Sequence, residues 1–214
     1  MTAKVKVGVL ISGRGSNLQA LLDACADPAF PAGIALVISN VAGAQGLERA
    51  TQAGVPTLVI NHKDFPSRAA FDARMDEALR AAGIELVCLA GFMRLLSDGF
   101  VEGWHGRMIN IHPSLLPSFK GMHTHAQALA AGVKLHGCTV HYVTPALDDG
   151  PIIAQAAVPV LEGDTEESLA ARVLEVEHQL YPAALKLVTE GNAGADQSDY
   201  LNRRGAEAQR PREG

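Results

Sequence analysis

The 214-residue chain is short of several things, and each shortage excludes a class of protein. Cysteine occurs three times, at Cys25, Cys88 and Cys138, without CxxC spacing. That removes a disulfide framework and a cysteine zinc knuckle, and reads as reduced core thiols in a cytoplasmic protein. No apolar run approaches the roughly 20 residues that cross a bilayer. Met1–Leu10 lacks the apolar stretch and small-residue cleavage site of a secretory leader. Basic charge is in deficit, with 18 Lys and Arg against 23 Asp and Glu, and it is scattered rather than blocked. This is the opposite of a nucleic-acid footprint. There is no GxxxxGK[ST] and no HExxH, so neither a P-loop NTPase nor a zincin fits.

Apolar residues make up 48% of the chain and glycine is frequent, which suits short buried strands joined by tight turns. Lys4–Ser12, Ile34–Ser39, Thr57–Ile60 and Leu86–Ala90 read as such strands. Between them, Leu18, Leu21, Leu22 and Cys25 fall on one helical face, Gln45–Ala53 reads as a second helix, and Phe71, Met75, Ala78, Leu79 and Ala82 mark a third that Gly83 stops. The alternation predicts an α/β, Rossmann-like, mostly parallel sheet with helices on both faces. Met108–Ile111 is a further strand. Gly137–Val143 and Ile152–Val160 flank the turn Leu147–Pro151 and predict an antiparallel strand pair at one side. Leu169, Val173, Val176, Leu180, Ala184 and Leu187 mark a long last helix, kinked where Pro182 removes a donor. Residues 1–190 are expected to form one domain, and the charged segment 191–214 a disordered tail.

Three places can carry chemistry. The first is Ser12-Gly13-Arg14-Gly15-Ser16-Asn17, between the first strand and first helix. A helix N-terminus there offers free N–H groups to an anion, and glycines let the backbone come close. The plainer alternative is a tight turn with Ser16 or Asn17 as helix cap. A dinucleotide fits poorly, because Leu18 replaces the third glycine and no acidic residue follows about 20 positions on. A single phosphate fits better. The second place is Asn110-Ile111-His112, where strand alternation puts Asn110 and His112 on one face. An amide and an imidazole side by side suit a developing oxyanion, although a histidine closing a strand can look the same. The third comprises the carboxylates Asp148, Asp149 and Glu177, each open to a purely local reading. Six of the eight histidines lie between His105 and His141. His123-Thr124-His125 keeps a metal conceivable, but the spacing of a zinc site is missing and none is expected.

Taken together, these stretches resemble the folate-dependent glycinamide ribonucleotide formyltransferases, from about Lys4 to Glu190. The resemblance rests on Ile11-Ser12-Gly13-x-Gly15-Ser16-Asn17-Leu18-Gln19-Ala20, Gly91-Phe92-Met93-Arg94-Leu95-Leu96, Asn110-Ile111-His112-Pro113-Ser114-Leu115-Leu116-Pro117, His123-Thr124-His125, Leu147-Asp148-x-Gly150-Pro151 and Glu177-His178-x-x-Tyr181-Pro182. It implies that Asn110, His112 and Asp148 are catalytic. It implies that Gly15, Ser16 and Asn17 hold the phosphate of glycinamide ribonucleotide, and that Glu177 contacts its ribose. Arg68, Met93, Arg94, Leu95 and Leu96, with Asn110 and Thr144, Pro145, Ala146, Leu147 and Asp148, would line the site of 10-formyltetrahydrofolate as co-substrate. The family pattern Asp-x-Gly selects Asp148 over Asp149, which is expected to face solvent, and a cis peptide is implied at Leu116-Pro117. The implied partners are small molecules, with no nucleic acid, no membrane and no metal, and the chain a monomer or homodimer. Three other readings compete. Methionyl-tRNA formyltransferase would need a basic C-terminal domain. Formyltetrahydrofolate deformylase runs the same trio on water behind a regulatory domain. A non-catalytic nucleotide-binding module would leave Asn110, His112 and Asp148 as coincidence.

Overall fold

In the structure, a computed structural model that describes residues 3–191, the elements follow in chain order. They are β1 (Val5–Ile11), α1 (Ser16–Ala26), β2 (Ala32–Ser39), α2 (Gln45–Gln52), β3 (Thr57–Val59), α3 (Arg68–Ala81), β4 (Leu86–Leu89), α4 (Asp98–Gly103), β5 (Met108–His112), α5 (Thr124–Ala131), β6 (Leu135–Tyr142), β7 (Ile152–Pro159) and α6 (Glu166–Thr189). The tail expected to be disordered lies, from residue 192 onward, outside the described residues.

The strands form one seven-stranded sheet in the order β3-β2-β1-β4-β5-β6-β7. β3, β2, β1, β4 and β5 pair in parallel. β6 runs antiparallel to both β5 and β7. The expected antiparallel pair is therefore present, and the β5–β6 reversal beside it is an addition. α5 is not a crossover back to the start of β5; Ala128 packs with Cys138, Val158, Leu169 and Val173, under α6 and against β6 and β7.

Period-two alternation divides the strands between two cores. Val7, Val9, Ile11, Leu86, Cys88, Ile109 and Ile111 meet α1 and α6 on one face. Leu10, Ile38, Val87 and Met108 meet Phe71, Met75, Leu79, Phe100 and Trp104 on the other. Covering on both faces explains why the parallel strands are continuous apolar runs. Asn110 and His112 share their parity with Met108, so they point away from the α1–α6 core, as the alternation requires.

The last helix corrects one reading. It runs on through Pro182, and its buried stripe is Leu169, Val173, Glu177, Tyr181, Ala184 and Leu185, whereas Leu187, expected in the stripe, is exposed. Val176 and Leu180 of the expected stripe are partly buried against the core, and the carboxylate of Glu177 lies among the buried positions. α4 and α5 are absent from the sequence reading. The first is too short to show a period, and the second begins on polar His-Thr-His.

The chain leaves β1 toward β2 on one side and reaches β4 on the other, so a crevice opens beyond the carboxyl ends of β1 and β4. Ser12 ties the loops around it together. Its N–H donates to the Gly91 carbonyl at 3.1 Å, its hydroxyl donates to Asn40 Oδ1 at 2.6 Å, and the same oxygen accepts the Met93 N–H at 2.8 Å.

The Tyr181 hydroxyl, wholly buried, donates to the Leu89 carbonyl at 2.9 Å and lies 3.2 Å from that of Ile109, bracing the ends of β4 and β5 from α6. Tyr181→Phe keeps the ring and removes that donor. Urea unfolding should show a loss of about 1–2 kcal/mol with an unchanged slope. An unchanged midpoint would deny the hydroxyl a stabilising role.

Candidate active site

α1 starts at Ser16, with Gly15 as its cap residue in the left-handed conformation (φ 68°), and no side chain caps the helix. The first-turn N–H groups are thus left to an external acceptor. Ser16 and Asn17 lie inside the helix, which removes the reading of either as cap. Only glycine fits at position 15, because a Cβ there would come 2.6 Å from the Cα of Gly46, whose own N–H donates to the Gly13 carbonyl. Asn17 is buried, and its Nδ2 donates to Glu177 Oε2 at 2.7 Å, while its Oδ1 has no partner among the described residues. Burial pushes the Glu177 carboxyl above its ordinary range, and the bond from Asn17 pulls the other way.

Beside this loop lies a cavity of about 430 Å³ lined by Ser16, Gln19, Ala20, Asp23, Arg49 and His178. Arg49 is held there by its Nε, which donates to the Arg14 carbonyl at 2.9 Å, and by Nη1 toward Gln19 Oε1 at 3.3 Å. Burial, with Arg49 nearby, lowers the pKa of His178. A guanidinium and an uncapped helix N-terminus on one opening suit an anion. No motif announces Arg49; it arrives only through the packing of α2 on α1.

The second group gathers on β5. Asn110 is half-buried and His112 is buried. The Phe119 carbonyl can only accept, so His112 Nε2 donates to it at 3.0 Å. Nδ1 of the same ring stands 3.5 Å from Asp148 Oδ2. Asp148 has a left-handed backbone (φ 48°), a conformation that aspartate tolerates better than most residues. Its Oδ2 accepts the Gly121 N–H at 2.8 Å, and its Oδ1 lies 4.0 Å from His141 Nε2. The Asp-x-Gly spacing has a steric cause, since a Cβ at Gly150 would fall 1.7 Å from the Tyr142 carbonyl oxygen. The turn is pressed against the end of β6, which aims Asp148 inward. Asp149 does not simply face solvent, as its spacing suggested. It pairs with Lys120 at 2.6 Å, and its side chain is 19% exposed. The Leu116-Pro117 peptide is cis.

His141, not singled out in the sequence, stands opposite Asn110 on β6, and its Nε2 is 3.2 Å from Asn110 Nδ2. Two of the segments expected to line the folate site adjoin this group. Leu89 pairs with Asn110, so the loop from Gly91 to Leu96 departs beside it. Met93 and Leu95 are exposed there, Arg94 lies over the Phe71 ring at 5.5 Å, and Leu96 packs on the α3–α4 core. Arg68 is exposed in the first turn of α3. Thr144, Pro145, Ala146 and Leu147 lead from β6 to Asp148, with Leu147 exposed. The His-Thr-His pair does not present two rings together. His123 is in the left-handed cap of α5, and His125 Nδ1 lies 3.1 Å from buried His136 Nε2. Burial, with His125 and His112 nearby, brings His136 down to about 4. Among the described residues no group of His, Cys, Asp and Glu could hold a metal ion, and no helix is long and apolar enough to cross a membrane.

The chain matches the family described as formyl transferase over residues 5–185. It is 56% identical over 188 residues to the trifunctional purine biosynthetic protein adenosine-3 of Bos taurus, covering 88% of this chain and 19% of that protein. The chain thus spans about a fifth of the length of that relative. It is 48% identical over 187 residues to the phosphoribosylglycinamide formyltransferase of Escherichia coli, covering 87% of this chain and 88% of that protein. The crystal structure of glycinamide ribonucleotide transformylase 1 from Symbiobacterium toebii matches with a TM-score of 0.89 and 52% identity, over 92% of this chain and 93% of that one.

The buried Glu177 gives a test of the first group. Because its folded pKa is raised, the folded chain holds the proton more tightly than the unfolded chain. The associated stability is fully present below the unfolded value and is lost as pH rises through the folded one. Glu177→Gln keeps an acceptor for Asn17 and carries no charge. Urea unfolding from about pH 4 to about pH 8 should show the wild type losing more stability than the variant. At the upper pH the variant should be at least as stable. A wild type that gains stability relative to Glu177→Gln over that range would contradict the burial argument.

Proposed function

This chain belongs to the formyl transferase family, and from that premise we propose that it transfers the formyl group of 10-formyltetrahydrofolate to the amine of 5-phosphoribosylglycinamide. The products are N-formyl glycinamide ribonucleotide and tetrahydrofolate, a step of purine biosynthesis. The observation that carries the reading is the convergence of Asn110, His112 and Asp148 at β5, with an anion-ready helix end on the same chain. The enzyme is read as a formyltransferase domain of residues 1–190, cytoplasmic, acting on small molecules as a monomer or homodimer.

The neutral amine of the substrate attacks the formyl carbon. A C–N bond forms, and negative charge gathers on the formyl oxygen. Asn110 donates to that oxygen through Nδ2; removing one such donor typically costs about 3 kcal/mol of transition-state stabilisation. His112 joins it by exchanging the Phe119 carbonyl for the oxyanion. The bond from carbon to the folate nitrogen then breaks, and the proton lost by the amine passes by way of Asp148 to that nitrogen. Gly15, Ser16 and Asn17 take the substrate phosphate on their N–H groups, with Arg49 beside them, and Glu177 takes a ribose hydroxyl. The folate lies against Met93, Arg94, Leu95 and Leu96, Arg68, and Thr144–Asp148. No step is routed through a metal.

Incubation with 10-formyltetrahydrofolate, with and without the ribonucleotide, tests the whole reading. Turnover only with ribonucleotide supports it, and equal turnover without it identifies a hydrolase. Within the active enzyme, Asp148→Asn should lower kcat by about a hundredfold or more, the scale of positioned acid–base assistance. Asp149→Asn, which gives up the ion pair with Lys120 and leaves Asp148 in place, should stay within about threefold, below the scale of such assistance. Ser16→Asp should raise KM for the ribonucleotide strongly and leave the folate KM unchanged. The assignment fails if Asp149→Asn is the crippled variant, or if Ser16→Asp weakens both substrates alike.

A further inference from the structure

Asn110 and His141 face each other across the antiparallel β5–β6 pair. We infer that His141 is a positioning residue, which sets the amide of Asn110 so that one N–H is held and the other is free for the reacting oxygen. The inference rests on the formyl-transfer reading for what that oxygen is, but its geometry stands alone.

The Tyr142 carbonyl can only accept a hydrogen bond, and His141 Nδ1 lies 2.9 Å from it. Nδ1 therefore carries a proton. In the neutral ring Nε2 is then an unprotonated acceptor, and whatever faces it must donate. Asn110 presents Nδ2 at 3.2 Å, so the amide nitrogen and oxygen cannot be interchanged. One amide proton is consumed there. No protein acceptor among the described residues takes the second, which leaves it for an incoming oxyanion.

The same logic makes the arrangement depend on His141 remaining neutral. A doubly protonated ring would offer N–H at both nitrogens, and Asn110 would have to turn its Oδ1 toward Nε2 and withdraw its donor. The groups facing His141 are Asp148 from the following turn, at 4.0 Å, His112 from β5, and Lys120 from the segment after Pro117. Burial is the largest influence and lowers the His141 pKa. The Tyr142 carbonyl and Asp148 oppose that, and His112 and Lys120 reinforce it. The ring is thereby biased toward its neutral form. A carboxylate so near does not capture Nε2, because Asp148 is held by the Gly121 N–H and turned to His112.

The test compares His141→Ala, His141→Gln, Asn110→Ala and the double variant His141→Ala/Asn110→Ala. His141→Ala should lower kcat about tenfold or more, less than outright loss of an oxyanion donor, with both KM values within about threefold. His141→Gln should recover most of the loss, since its Oε1 accepts from Asn110 and does not titrate. In the Asn110→Ala background, His141→Ala should cost almost nothing further, as expected for a residue acting through its neighbour. Nitrogen-15 NMR supplies a readout independent of turnover. The Asn110 side-chain amide signals of the wild type should move with the His141 titration, and those of His141→Gln should not. Additive losses in the double variant overturn the inference, as does a change confined to KM, or an Asn110 amide indifferent to His141. If the ribonucleotide is not formylated at all, the functional reading fails, and the amide titration still decides this one.

Discussion

The reversal of strand direction between β5 and β6 is the constraint on which the candidate catalytic group depends. A parallel neighbour would need a crossover and would bring its residues to β5 in a different register. Running antiparallel, β6 sets His141 against Asn110 and Thr139 against His112. It also ends beside the start of β5, with the Val143 N–H on the Met108 carbonyl, so the following turn must fold back over the face that bears Asn110 and His112. Gly150 lets that turn press on Tyr142, and Asp148 is carried inward as a result. The parallel half of the sheet supplies something different: a crevice at the switch between β1 and β4, with an uncapped helix beside it. One half offers donors to a phosphate and the other gathers acid–base groups around a strand end.

Both halves bury polar groups, and such burial is tolerated only where partners are supplied. Glu177 sits in the apolar stripe of α6 and is held by Asn17 across from α1. His141 is desolvated and held by Tyr142 and Asn110. Asp148 is held by a backbone N–H and lies at ion-pair distance from His112. Two of these networks leave an atom over: among the described residues Asn17 Oδ1 has no partner, and the second Nδ2 proton of Asn110 has no acceptor.

The sequence made the frame readable because strands buried on both faces are simple to recognise. Val5–Ile11, Leu86–Leu89 and Gln45–Gln52 lie within two residues of the expected limits at each end. What escaped has physical causes. α4 spans less than two turns, and α5 carries little periodic apolar character. An apolar pattern cannot show that Glu177 occupies a core position of α6, between Val173 and Tyr181. Arg49 and His141 could not be found by motif, since each becomes relevant only through an element contact that the linear chain does not express. Nothing in the spacing around Asp149 reveals that Lys120, 29 residues earlier, lies against it.

The two expected oxyanion donors are not equally prepared. The second Nδ2 proton of Asn110 has no acceptor among the described residues, and His141 holds the amide in place, so its alignment needs no rearrangement when charge appears. Donors aligned in advance are the effective ones, because no reorganisation is needed as the charge develops. His112 differs, for its Nε2 already donates to the Phe119 carbonyl. It reaches an oxyanion only by giving up that neutral acceptor, and a charged oxygen is the stronger one. Phe119 has a left-handed backbone (φ 55°), as does His123 (φ 58°), so the segment carrying the displaced carbonyl already contains backbone conformations unusual for such residues. The exchange therefore favours the state in which negative charge has formed over the state in which a neutral formyl group merely sits nearby. A donor that is available only to the charged oxygen contributes to the transition state and not to ground-state binding, which is the condition for raising kcat rather than lowering KM.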